Sequence, residues 1–549
     1  LKREEKRLKH KTNGQIGMPG GLLPLVAYGN MNRIISGNPQ MTYFYKAFLR
    51  YTHFSTENIT VPLDGQNELS LNAPIQLRAK IPRHGDLLSD MYLTVQLPPI
   101  FNKVEPGQPS REFAWSRQIG LRMIERVGLY IGGSKVQEYS SDWLATKFQL
   151  DQSLDSYEKW SSMIGDVPEM FAPASGPYAD PSGGYPNVIP FPGVVPQLNA
   201  PSIPARELNI PLGFFFSDSP GLAIPLIGLQ YHDVEVQITL RPSKEIYTIA
   251  DQAGIRTQYG YRLDSATGTM IYANTWNSAY GPLPESLNNN YVEYYDISGT
   301  PRNFLTDIGY SIPSSDNIPL NPRLQCTYIY LTEEERRVFA SKKLEYMVRQ
   351  IQEFKFTSIS SRQQLQIDAH SLVTRFAWFA RRTDWHYRND YTNMTNWKNT
   401  DPAKRPYVKG TNERSTSGAL IPGTARDIMT SARILCGGNE IFEEKQARYF
   451  SDIVPYKTSI GNGYPFLLGG LLAPNALTPI YLYSFALNSS SVAQPSGTIN
   501  TSKITKIDLE VDVQQLPADA NYAYEFTVFA ESLNFLEIAS GLGGMKYSI

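Results

Sequence analysis

One short pattern occurs twice in this chain, and it constrains the fold more than any other feature. Arg126–Glu138 reads RVGLYIGGSKVQE and Ala432–Glu444 reads ARILCGGNEIFEE. With the glycine pairs aligned, Gly132-Gly133 falls on Gly437-Gly438, Val136 on Ile441 and Glu138 on Glu443. Each copy is an apolar run, a Gly-Gly pair, two polar residues, an apolar residue and an acid. An apolar strand ending in Gly-Gly predicts a tight hairpin, because the favoured two-residue turns need positive φ at their centre.

Other segments pair off in the same order. Met91–Leu97 resembles Val373–Ala380, Leu212–Gly221 resembles Tyr481–Gly497, and Val234–Leu240 resembles Ile507–Val513. Strand sequences look alike, so any one pair is weak. Four pairs in one order, separated by loops of different length, predict two β-sandwiches built to one plan. In the strand over Leu87–Leu97, Met91, Leu93, Val95 and Leu97 fall on the core-facing side. Between the halves, Thr332–Gln352 reads as a helix. Thr332 and Glu335 have capping-box spacing. Val338, Phe339, Leu344, Met347, Val348 and Ile351 recur every three or four residues.

At 549 residues the chain is too long for one core. Its 12% aromatic content, with 40 Gly and 39 Pro, suits many short strands and turns. The only cysteines are Cys326 and Cys436, so there is no Cys…Trp…Cys immunoglobulin pattern and no disulfide framework. The expectation is an all-β chain of two consecutive eight-stranded jelly-roll β-sandwiches joined by a linker helix, with long loop insertions. The divisions are an N-terminal arm at 1–45, a first roll at 46–331, the helix at 332–352 and a second roll at 353–549. Both cysteines read as buried, reduced thiols, as in a reducing compartment.

Residues 140–205 and 241–321 read as long excursions from the first sandwich. Tyr259, Tyr261, Tyr272, Trp276 and Tyr280 in the second serve either a subunit interface or packing within the loop, and the sequence leaves both open. Phe44, Phe48, Tyr51 and Phe54 are expected to share a short helical face. The first eleven residues carry six Lys/Arg against two Glu. That run reads as a solvated terminus or as a basic arm touching a phosphate surface or a partner protein. Neither Gly221–Leu229 nor Phe466–Ala473 approaches the ~20 apolar residues of a membrane-spanning helix. The N-terminus is charged, without the apolar core of a secretory signal.

No catalytic constellation emerges. Gly132-Gly133-Ser134-Lys135 lacks phosphate-loop spacing and its strand-to-helix setting. Glu333–Glu335 marks a helix start rather than an acid/base pair. The six histidines have no metal-ligand spacing, and His232 reads as a packed, hydrogen-bonded strand residue. No catalytic residue, metal or cofactor is expected. Four sequons make Asn393, Asn488, Asn500 and Asn58 glycosylation candidates, with Asn393 the first to test.

The segments SGNPQMTYFYKAFLRYTHFS, GDLLSDMYLTVQLP, IGGSKVQEYSSDWL, LNIPLGFFFSDSPGLAIPLIGLQYHDVEVQI, YIYLTEEERRVFA, QPSGTIN and ASGLGGMKYS run in this order from about residue 36 to the C-terminus. Together they resemble the double jelly-roll major capsid proteins of nucleocytoplasmic large DNA viruses. The resemblance implies a homotrimer of six rolls that tiles an icosahedral shell assembled in the host cytoplasm. It further implies contacts with neighbouring capsomers and with minor capsid and penton proteins, and an N-terminal segment on the inner side, towards a membrane. Residues 1–17 and the two long excursions depart from the family pattern. The alternative is a surface or secreted β-sandwich carbohydrate-binding protein or glycosidase, which would need a signal peptide and, as an enzyme, a carboxylate pair on an open face. A nucleic-acid-binding role for the basic arm finds no support in the net charge of −1.

Overall fold

The computed structural model describes residues 20–40, 42, 44, 50–104, 112–175, 185–187, 189–190, 200–250, 256–263, 270–272, 300–306, 313–396, 427–461, 479–491, 494–516 and 522–547. Residues 1–53 form one unit and 54–549 another. The first unit holds short helical segments at Gly20–Leu22, Leu23–Val26 and Asn30–Ser36, none with a buried residue.

The second unit is built from sixteen principal strands. The first eight are β1 (Phe54–Pro62), β2 (Ile75–Lys80), β3 (Leu87–Leu97), β4 (Ile124–Ile131), β5 (Ser134–Ser140), β6 (Arg206–Pro211), β7 (Val234–Leu240) and β8 (Arg323–Leu331). The next eight are β9 (Leu344–Ile359), β10 (Gln363–Gln366), β11 (Leu372–Arg382), β12 (Met429–Cys436), β13 (Asn439–Glu440), β14 (Tyr481–Ser484), β15 (Ile507–Val513) and β16 (Tyr524–Ala539). They pair as β1-β8-β3-β6 and β2-β7-β4-β5 in the first half, and as β9-β16-β11-β14 and β10-β15-β12-β13 in the second. Adding eight to any label in the first half gives its counterpart in the second. These are two jelly rolls of identical strand order, as the repeat predicts.

The repeated glycines do the same work in both. Gly132 and Gly133 have φ of +58° and +81°, and Gly437 and Gly438 have +58° and +84°. A side chain is strained at such angles, so Gly-Gly closes the β4–β5 and β12–β13 hairpins without cost. Met91, Leu93, Val95 and Leu97 are all buried, on the side the alternation assigns them.

The linker helix is much shorter than expected. It runs only from Glu333 to Ser341, and Lys342 is already extended, at φ −90° and ψ 145°. Leu344–Ile359 is instead a sixteen-residue strand paired antiparallel with β16. The apolar spacing at 344, 347, 348 and 351 fits a helix stripe, but it fits equally a strand partly covered on both faces. Long-range pairing with β16 decides between them. No residue of the nine-residue helix is buried, and the Thr332 side chain makes no capping bond. The helix is held instead by Arg336, whose Nε lies 2.9 Å from Asp86 Oδ1. The apolar helix face through Val338 is therefore absent: Val338 is exposed, while Tyr346 and Val348 are buried as strand residues.

Other expectations shift as well. Cys326 is buried, but Cys436 is only half-buried, and both are free thiols. Phe54 opens strand β1 rather than extending a helical face, Phe44 and Tyr51 are exposed, and Phe48 lies outside the described residues. Among its described residues the 140–205 excursion contains two longer helices, α1 (Ser141–Asp151) and α2 (Leu154–Met163), and a single helical turn at Pro168–Phe171.

Candidate functional site

Helix α1 follows β5 directly and leaves the first roll to lie on the second. Ser140 caps it, its Oγ accepting from Trp143 N at 3.4 Å. Eight residues along the helix, from Trp143 to Leu150, four large side chains (Trp143, Leu144, Phe148, Leu150) are buried. Trp143 packs on Phe529 of β16, with ring centroids 5.2 Å apart. The core cluster of the first roll accordingly extends into the second through Tyr346, Val348, Ala377, Phe379, Phe529, Leu536 and Ile538. Alternate residues of the same strands, including Phe376, Trp378, Val528 and Ala530, form the second roll's own core. β11 and β16 are thus covered on both faces. That explains why FAWFA in β11 reads as a continuous apolar run rather than an alternation.

Two ion clusters sit in this seam. Asp142, in the first turn of α1, accepts from Arg122 Nη1 of the first roll and from Arg381 Nη2 of the second, each at 2.6 Å. Burial by itself would raise the Asp142 carboxyl, but Arg381, Arg122 and Arg241 outweigh it and hold the group well below the usual carboxylate range. Asp151 ends the helix, where a negative charge opposes the dipole. Arg375 of β11 compensates, donating to both Asp151 oxygens at 2.7 and 2.8 Å and from Nε to Glu531 Oε2 at 2.8 Å. Burial opposes the Arg375 charge, but Asp151 and Glu531 hold its pKa above the ordinary value. Arg349 of β9 lies 2.8 Å from Glu531, and Ser490 Oγ donates to Asp151 at 2.8 Å.

The strand edges are stitched reciprocally. Gln137 of β5 donates from Nε2 to the Arg349 carbonyl at 2.6 Å, and Gln350 of β9 donates to the Val136 carbonyl at 2.8 Å. At one end of the seam the C-terminal hairpin, β17 (Leu542–Met545), docks on the first roll. Tyr231 N donates to the Gly541 carbonyl at 3.0 Å. His232 Nδ1 stands 2.9 Å from Gly543 O and 3.1 Å from Gly543 N, so the histidine is bonded as expected from the sequence, but it is half-buried and precedes β7 rather than lying in a strand.

Of these seam residues, the sequence points to Val136, Val348 and His232 alone, and it places Val348 on a helix rather than a strand. The available signal was charge inside apolar strand runs, as at Arg375 and Arg381 in VTRFAWFARR, where a charge requires a buried partner. The sequon asparagines are dispersed. Asn393 is 5% exposed, and its Oδ1 accepts from the Thr395 hydroxyl at 2.7 Å. Asn58, Asn488 and Asn500 are exposed. Of the loop aromatics, Tyr261 packs on Tyr387 at 4.9 Å and Tyr259 packs on the core, which is packing within the chain. Trp276 and Tyr280 lie outside the described residues. Among the described residues no group of three His, Cys, Asp or Glu is placed to hold a metal, and no helix is long and apolar enough to cross a membrane.

Two rolls of one plan, fused through a buried seam, define a double jelly-roll protein. The same fold occurs in the VP54 protein of PBCV-1, fitted into a reconstruction of the virophage Sputnik, at TM-score 0.61 and 20% identity over 92% of this chain and 100% of that one. It occurs too in the Faustovirus major capsid protein, at TM-score 0.56 and 15% identity over 93% and 94%. Residues 42–276 match the family described as major capsid protein N-terminus, and 335–544 match large eukaryotic DNA virus major capsid protein. The major capsid protein of Chrysochromulina ericina virus is 23% identical over 97% of this chain and its own full length. That of Paramecium bursaria Chlorella virus 1 is 24% identical over the same shares. The chain belongs to the major capsid protein family of large eukaryotic DNA viruses, a family of structural shell proteins.

Proposed function

We propose that three copies of this chain close into a pseudo-hexagonal ring of six rolls, the capsomer of an icosahedral shell. The observation that carries this reading is the identical strand order of the two rolls in one rigidly seamed unit. Two equivalent rolls per chain give a threefold ring six similar edges, so capsomers can tile a surface while each roll diverges for its own neighbours. Such an interface is heterologous yet cyclic and terminates at three. Negative-stain class averages of the purified oligomer test it: a six-lobed ring is expected, and a two-lobed particle would overturn it.

The first roll, expected from residue 46, opens with β1 at Phe54 and runs to 331, and with the helix shortened the second runs over 344–549. Assembly takes place in the host cytoplasm, with neighbouring capsomers and minor capsid and penton proteins as partners and no specific nucleic acid. The arm at 1–45 faces inwards, towards a membrane. Its basic first residues support this, as do the exposed Leu23, Leu25, Met31, Ile34 and Ile35 in its described part. Vesicle flotation tests the arm: binding to anionic vesicles should disappear on deletion of residues 1–45. Asn58, Asn488 and Asn500, all exposed, are the sequons open to glycosylation.

A further inference from the structure

The repeat makes one contact inside the chain and leaves its two halves open elsewhere. In the second roll, sheet β9-β16-β11-β14 is covered on its outer face by α1, the segment that follows β5 of the first roll. The counterpart sheet β1-β8-β3-β6 buries its inner face, through residues such as Val61, Cys326, Met91 and Leu93, whereas its outer face is buried at Leu87 and Thr94 of β3 and open along β1. On the outer face the register aligns Thr56 with Ile329, Asn58 with Thr327 and Thr60 with Gln325, all exposed or half-buried. Phe54, opposite Leu331, is 50% exposed at the corner of that face. Among the described residues β1 pairs only with β8.

The segment that follows β13, the counterpart of α1, is covered on one side only: Phe450 and Val454 are buried, and Gly461 N donates to the Leu150 carbonyl of α1 at 2.7 Å, while its other side is open. It is helical from Tyr449 to Thr458, including α3 (Val454–Thr458), and presents Tyr456, 88% exposed, beside Ile453 and Ile460. Leu487, 82% exposed, adjoins it, because Ser489 N donates to Thr458 O at 2.8 Å and Ile460 N to Ser490 Oγ at 3.2 Å. Four exposed apolar side chains on a backbone fixed by hydrogen bonds form a preorganised contact surface.

We propose that the outer face of β1-β8-β3-β6 in one copy receives the Tyr449–Ile460 segment and Leu487 of a second copy. It is the interchain counterpart of the contact α1 makes within each chain. The occupant follows from the internal repeat: the segment after strand five of one roll covers the strand-one sheet of the next. Made once inside the chain and once between chains, this contact closes a ring. Tyr456 is the expected anchor, as an amphipathic aromatic at the centre of the patch. Asn58 is covered in the assembled ring.

This inference rests on the capsomer reading, and its test separates the two. Asn58→Arg spoils one surface and Tyr456→Asp the other, both at exposed positions. In native mass spectrometry each variant alone should lose trimer by about tenfold or more, with the far-UV circular dichroism of its folded monomer unchanged. Mixed together, the two should form a one-to-one heterodimer, because one intact pairing remains between them. A trimer that survives both substitutions, or a mixture that gives no heterodimer, overturns the surface assignment while leaving the capsomer reading intact. A monomeric wild-type chain overturns both. If Tyr456→Asp loses the circular dichroism of the folded chain, the pair Tyr456→Ser with Leu487→Ser takes its place and the same mass readout decides.

Discussion

Asp142 and Arg381 meet at 2.6 Å across the boundary between two jelly rolls, both nearly excluded from water. The pair turns two sandwiches into one body. Replacing Asp142 by Asn takes the carboxylate from buried Arg122 and leaves buried Arg381 only the longer 3.9 Å approach to Glu525. Removing one partner of such a buried pair costs about 3–5 kcal/mol. Denaturant titration of Asp142→Asn should show that loss in a single cooperative transition. A change below about 1 kcal/mol, the range of an exposed pair, would show that the seam is wet.

The acid response follows from the same groups. Asp142 and Asp151 both have folded-state pKa values below the ordinary value, because the arginines outweigh the burial that would raise them. A carboxyl depressed on folding adds stability that is fully present above its unfolded pKa, near 3.9, and is lost as pH falls through the folded value. The chain should therefore hold its seam at pH 5 and lose it only below about pH 4. Tryptophan fluorescence, which reports Trp143 in the seam, follows this. Seam opening already at pH 5 to 6 would contradict the assignment.

The shortened helix makes its own prediction. Val348 is fully buried on a strand, whereas Lys342 is exposed at the helix end. Val348→Asp should destabilise by about 4 kcal/mol or more, and Lys342→Glu should stay within about 0.5 kcal/mol. Equal effects in thermal melts would mean that the 344–352 segment does not pack as described.

The thiols differ in reach. Burial pushes Cys326 up to about 12, while Cys436 is half-buried and raised less. A thiol reagent at pH 8 should label Cys436 slowly in the native protein and Cys326 only after denaturation. Early labelling of Cys326 would mean that β8 opens.

Asn393 carries the sequon that looks most accessible in the sequence, yet its amide oxygen is engaged by Thr395 and the side chain is buried. Peptide mapping of the folded protein should find Asn393 unmodified. A glycan there would contradict the burial.

What the sequence reveals is local or repeated. The Gly-Gly hairpins are legible because positive φ restricts the turn to few residues, and the roll order is legible because the same strands recur. The end of the linker helix is not legible, since Leu344, Met347, Val348 and Ile351 satisfy two periodicities and only β16 distinguishes them. The seam is less legible still. Asp142 lies 239 residues from Arg381, and Asp151 lies 224 from Arg375. Neither helix α1 nor its partners announce the pairing locally. Arg375 and Arg381 inside one apolar run are the hints that buried acids must come from elsewhere.

The central claim is that this chain exists to build a ring from copies of itself. Native mass spectrometry of the purified full chain near neutral pH tests it most directly. The account predicts a dominant species at three times 61.8 kDa. A persistent monomer at 61.8 kDa would contradict it.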